Sequence, residues 1–225
     1  MEKRASLLKK ILMVVLIILL LAILVAVIHT MRNFSIIRGL QDKFSAYADS
    51  TNYHVKTTTT EPDGSKLVVD FYQKGDKQAR FIESGEGDSL VKLAIYNNGE
   101  RIDMFTETAE EKIATLGSNN STLLEYKLYN ALETKNMGQT LFLSFLARIK
   151  EGEVDGKECY VFEHYCNPNV MYGVEENASF FEKDTGFELK NHMDGTIIER
   201  EYEFDNIEDS VFVEPNIGEY RLQMD

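Results

Sequence analysis

Tryptophan is absent from the 225 residues, and cysteine occurs only twice, at Cys159 and Cys166. A straight strand between these two would separate them by about 23 Å at about 3.3 Å per residue. A disulfide needs Cα atoms within about 7 Å, and the odd spacing points the two side chains to opposite faces, so a bridge requires a bend before Cys166. An oxidising compartment outside a membrane would permit one. No CxxC pair exists to complete a tetrahedral metal site with Cys159, His164 and Cys166. The other histidines, His29, His54 and His192, stand singly. The chain also lacks GxSxG, HExxH and any phosphate-binding glycine loop. No enzymatic activity, metal or cofactor is therefore expected; an envelope enzyme would need a clustered polar site that the sequence does not advertise. Positive charge is short as well. Of 24 basic and 37 acidic residues, five and one fall in residues 1–32, leaving 19 and 36, a balance of −17 for residues 33–225. That balance argues against nucleic acid and against adhesion to anionic lipid headgroups. It fits either plain solubility or an acidic face for a basic partner.

What the chain does have is one long apolar run, Ile11–Ile28, eighteen residues without a charge. As a helix it would be about 27 Å long, close to the roughly 30 Å hydrocarbon core of a bilayer. Lys3, Arg4, Lys9 and Lys10 precede it, and Arg32 and Arg38 follow. This bias favours a cytoplasmic N-terminus and an extracytoplasmic C-terminal domain at the cell membrane. A cleaved signal peptide is the alternative, but its apolar region is usually about 7–15 residues with a small-x-small site, and Ala26-Val27-Ile28-His29-Thr30 offers no such pair. The run holds no cysteine, so a bacterial lipoprotein type of lipid modification is excluded. The expected layout is residues 1–10 cytoplasmic, 11–28 transmembrane, 29–50 a juxtamembrane amphipathic helix, and 51–225 one domain with a helical insert at 121–149.

Ile36, Ile37, Leu40, Phe44 and Tyr47 form a helical stripe. Ser35 could cap that helix; a helix continuous with the anchor is open, and Asn33 and Ser35, weak interior formers, make a hinge there plausible. From Asn52 the period becomes two. Leu67, Val69 and Phe71 alternate with polar residues, as do Val91, Leu93 and Ile95. Pro62-Asp63-Gly64, Asn98-Gly99, Asp155-Gly156, Asp184-Thr185-Gly186 and Asp194-Gly195 mark turns between antiparallel strands. Between the two groups of strands, Thr122 and Glu125 make a capping-box pattern. Leu124, Leu128, Ala131 and Leu132 form one helical stripe there, and Leu141, Phe142, Phe145, Leu146 and Ile149 form another. These stripes suit core packing or a lid over an apolar cavity. Late in the chain Ile198, Tyr202 and Phe204 alternate with Glu199, Glu201 and Glu203, a one-sided sheet pattern. Val211–Pro215 is expected to end the sheet edge. Glu151, Glu153 and Asp155 suggest an acidic turn, able in principle to hold calcium. Acceptor-type glycosylation triplets begin at Asn33, Asn119, Asn120 and Asn177.

The segments Val154–Val161, Phe181–Lys190, Tyr202–Ile207 and Val211–Pro215, in this order behind a membrane-targeted N-terminus, resemble the bacterial outer-membrane lipoprotein carrier (LolA-like) superfamily, which includes RseB-like regulators and Gram-positive envelope proteins. The resemblance spans about Ser35–Tyr220. It implies an α+β fold, with the N-terminal transmembrane helix followed by a curved antiparallel sheet, an incomplete β-barrel, with helices over its concave face. It also implies a non-enzymatic function: holding a lipid or lipoprotein segment in an apolar concavity, or binding an envelope protein there. Alternation nominates Leu67, Val69, Phe71, Val91, Leu93, Ile95 and Val161 as lining residues, with Phe142 and Phe145 from a helical lid. The anchor departs from the soluble carriers, since a tethered protein cannot shuttle between membranes. The alternative is a regulatory or structural envelope protein with a filled core, whose acidic surface meets a protein partner.

Overall fold

The computed structural model describes residues 2–99, 101–118, 128, 132, 136–163 and 177–223. It opens with one continuous helix, α1 (Glu2–Ser45). A meander of six strands follows: β1 (Asn52–Thr60), β2 (Lys66–Lys74), β3 (Lys77–Ser84), β4 (Val91–Asn97), β5 (Ile102–Glu107) and β6 (Lys112–Ser118). Helix α2 (Met137–Leu146) precedes a second meander of β7 (Arg148–Val154), β8 (Lys157–Glu163), β9 (Ala178–Glu182), β10 (Glu188–Met193) and β11 (Thr196–Phe204). A short β12 (Arg221–Gln223) ends the described chain. All twelve strands form one open sheet in the order β12-β6-β5-β4-β3-β2-β1-β11-β10-β9-β8-β7. Its strand pairs are antiparallel except β12 with β6. The two meanders join where β1 meets β11, with Val55 opposite Tyr202 on one side and Phe71 on the other. The α+β class with an open, mostly antiparallel sheet is therefore present.

Local chemistry sets the register. Asp155 and Gly156 both have positive φ (49° and 81°), as do Asp194 and Gly195 (54° and 86°). Two consecutive left-handed residues make the tight hairpin turn whose twist matches the strands, so Val154 pairs with Lys157 and Met193 with Thr196. Each sheet face buries a different set of side chains. On one face Ile37 and Leu40 of α1 pack with Ala147, Ile149, Phe162 and Phe181. Phe44 meets Phe187 edge-on at 5.2 Å between ring centroids, and Tyr47 lies 4.8 Å from Phe204. On the other face Tyr72, Phe81, Tyr96, Phe105 and Tyr220 form an edge-to-face ladder, with centroid separations of 5.8, 5.7, 5.8 and 5.1 Å. Alanines make room for the rings: Ala79 sits opposite Tyr72 and Tyr96, Ala94 opposite Phe81 and Phe105, and Ala114 opposite Phe105. Val211, Phe212 and Tyr220 of the C-terminal segment close this second core.

Several expectations need correction. Of the two courses left open, a hinge at Asn33 or Ser35 and a continuous helix, the structure has the second: α1 runs through both segments. Asn33 is fully buried, and its side-chain amide donates to the carbonyls of Ser144 (3.0 Å) and Ala147 (2.8 Å), so a weak helix former is held by tertiary pairing. The second insert stripe ends early. Helix α2 stops at Leu146, and Ile149 lies in β7 opposite Phe162. Glu151 and Glu153 are strand residues, and only Asp155 lies in the turn. Val211 and Phe212 belong to a 3-10 turn (Asp209–Phe212), and the chain then adds β12 as a parallel edge strand. The capping box and half of the first insert stripe (Leu124 and Ala131) lie outside the described residues, as do His164, Cys166 and the triplets at Asn119 and Asn120. Asn33 and Asn177 are both buried, which removes them as glycosylation acceptors.

Candidate binding face and charged clusters

The registers place six of the nominated residues on one face of the sheet, the face that α1 packs on. They fall in three cross-strand rows. Leu67 lies opposite Ser84, which lies opposite Val91; Val69, Ile82 and Leu93 form the next row; Phe71, Arg80 and Ile95 form the third. Burial is graded along the strands. Phe71 and Ile95 are fully buried, Val69, Ile82 and Leu93 are half-buried, and Leu67 and Val91 are exposed. Leu128 packs beside Phe71, with Tyr202 and Phe204 on its flank. Helix α1 spends its apolar side chains at the other end of the sheet, over β7–β9 and the β9–β10 turn, so it leaves the two outer rows uncovered. A groove of about 250 Å3 lies on the opposite face, against the ring ladder, lined by Phe81, Tyr96, Phe105, Pro215 and Tyr220.

The other three nominated residues lie elsewhere. Val161 is on the opposite face: its neighbour Phe162 carries the core contact, and a Cβ on Gly152 would meet Val161 Cγ2 at 2.6 Å. Phe142 and Phe145 are exposed on α2, which turns Thr140 and Ser144 inward instead. Helical spacing located their stripe but assigned it to the wrong side. The small polar pair could have warned of this, because Thr140 and Ser144 satisfy their hydroxyls on the carbonyls of Asn136 and Thr140 and so pack closely.

Three charged clusters were not anticipated. His54 Nε2 lies 2.8 Å from Asp70 Oδ1, with Glu203 3.8 Å from its other ring nitrogen and Tyr72 stacked at 4.0 Å. Burial, with Asp70 and Glu203 nearby, pushes the Tyr72 phenol up. Arg101 bridges buried Asp103 (2.5 Å) and Glu214 (3.4 Å), which ties the C-terminal segment to β5. Burial and the facing Asp103 push the Glu214 carboxyl above its usual range. Buried Glu188 accepts from Arg200 (2.6 Å) and Asn191 (2.9 Å). Each cluster joins strands or segments to one another, and none sets a nucleophile against a base among the described residues. Cys159 is buried, and desolvation followed by the Glu182 charge pushes its thiol up, away from reactivity. Among the described residues no group of three or more His, Cys, Asp or Glu is placed to hold a metal ion.

One helix among the described residues is long and apolar enough to cross a membrane, as an anchor or a signal sequence would be. No protein-family model matches the chain, and no curated protein matches it.

Proposed function

We propose that the chain is a membrane-anchored, extracytoplasmic and non-enzymatic binding protein of LolA-like type. Its sheet is the curved, incomplete barrel of that superfamily, and the face under α1 is its concave side. Ile11–Ile28 spans the cell membrane once, with Lys3, Arg4, Lys9 and Lys10 on the cytoplasmic side. An acyl chain or a lipoprotein segment lies against the rows Leu67/Val91 and Val69/Ile82/Leu93. The observation that carries this reading is the gradient along those rows, from buried Phe71 and Ile95 to exposed Leu67 and Val91. An apolar strip that deepens into a core is the form an apolar-ligand site takes.

A photo-crosslinking side chain at Leu67 tests it, with Lys66, the adjacent residue on the other face, as control. The full chain is expressed in cells, irradiated, and its adducts are weighed by mass spectrometry. Acyl-bearing adducts at position 67 and not at 66 are expected. Equal labelling, or none, counts against the proposal. A protein adduct without an acyl chain favours the alternative, a regulatory or structural domain that meets an envelope protein through its acidic surface.

A further inference from the structure

The apolar side of α2 faces away from the protein. Met137 is 70% exposed, Phe142 67%, Phe145 55% and Leu141 45%, while Thr140 and Ser144 are buried. A soluble helix orients the other way, with apolar residues inward. Residues 136–147 carry no charge, although the chain from residue 33 onward is strongly acidic. The position of α2 is fixed by its C-terminal carbonyls. Ser144 and Ala147 accept from Asn33, and the Ala147 carbonyl also lies 3.1 Å from His29 Nε2. His29 and Asn33 are one and five residues beyond Ile28, so the C-terminal end of α2 lies about 2–8 Å along the α1 axis from the end of the apolar run. The C-terminal end of α2 thus lies beside the end of the apolar run, whose large apolar side chains are exposed as well.

We propose that α2 is a second membrane contact, an interfacial helix that seats Met137, Leu141, Phe142 and Phe145 at the boundary of the acyl chains beside the anchor. The inference rests on the reading of Ile11–Ile28 as a bilayer span. It assigns the lipid bilayer as the occupant, because among the described residues the apolar run of the anchor ends beside this helix. Asn33 and His29 then act as the clamp that holds α2 at that depth.

The absence of tryptophan gives a clean test. Three single-tryptophan variants of the full chain, Leu20→Trp, Phe142→Trp and Val213→Trp, are reconstituted into phosphatidylcholine vesicles with brominated acyl chains. Leu20→Trp and Phe142→Trp are expected to emit in the blue and to lose at least half their fluorescence to the bromines. Val213→Trp, on the exposed C-terminal segment, should emit in the red and lose almost none. Quenching at position 20 but not at 142 overturns the α2 contact and leaves the anchor standing. Absence of quenching at both removes the anchor, and the α2 contact with it. Blue emission at 142 without bromine quenching means that protein covers the patch, as in a second copy of the chain, and overturns the proposal too.

Discussion

Gly186 offers the sharpest test of how α1 is docked on the sheet. It ends the β9–β10 turn at φ 77°, and an added Cβ would stand 2.2 Å from the Leu40 carbonyl oxygen and 3.2 Å from the Phe44 nitrogen, both helix backbone. Relief requires α1 to move away by about 1 Å, which loosens Leu40 and the Phe44–Phe187 contact. Overpacking of this kind costs about 1–3 kcal/mol, and a left-handed backbone costs a residue with a Cβ about 1–2 kcal/mol, so Gly186→Ala should lose about 2–5 kcal/mol. Gly156 supplies the control: its φ is 81° and an added Cβ meets nothing within 4 Å. Gly156→Ala should therefore show only the backbone penalty. The entropy lost from the unfolded chain is common to both substitutions and cancels in the difference. Urea titration of the full chain in detergent micelles, followed by tyrosine fluorescence, measures the two. If they fall within about 0.5 kcal/mol of each other, α1 does not lie against that turn and the packing described above is wrong.

Asn33→Ala removes the donor to the Ser144 and Ala147 carbonyls and should cost about 1–3 kcal/mol for buried acceptors left unpaired; amide hydrogen exchange should rise in α2 well before it rises in β1 or β2. Tyr220 donates to Glu107, and burial followed by that carboxylate raises its phenol to about 12. Its contribution is therefore complete below the usual value of 10 and is lost only as pH rises through about 12; an ultraviolet pH titration should show that Tyr220→Phe deletes a late step. Glu214 has the opposite consequence at neutral pH. Its raised carboxyl favours folding below the ordinary value of 4.5 and loses that contribution as pH rises above it. Glu214→Gln should thus slow carboxypeptidase trimming of the C-terminal segment at pH 7 and make no difference below pH 4.5; faster trimming at pH 7 would mean that the Arg101 contact outweighs burial.

Much of the sheet was legible because period-two alternation and aspartate-glycine turns act locally. Leu67, Val69 and Phe71 fall on one face with Val91, Leu93 and Ile95 because each hairpin preserves parity, and the split of Ile198, Tyr202 and Phe204 from Glu199, Glu201 and Glu203 follows the same rule. Strand β7 was hidden because Arg148–Val154 carries only two apolar side chains, Ile149 and Val154. The three-residue β12 has no period to detect, and its parallel pairing depends on where the C-terminal segment returns. The orientation of α2 was misjudged for a different reason. Helical periodicity identifies an apolar side but not what it faces, and here a buried asparagine from a distant helix decided which side turned inward.

The unbroken course of α1 has one more implication. Its 44 residues measure about 66 Å at about 1.5 Å each, and the last third is built into the sheet's own packing. A spar of this kind leaves no stalk to swing on. With Ile11–Ile28 seated in a bilayer, the strand rows would be held at a set height and angle above the lipid, and a ligand of the proposed kind would have to be delivered to that fixed station.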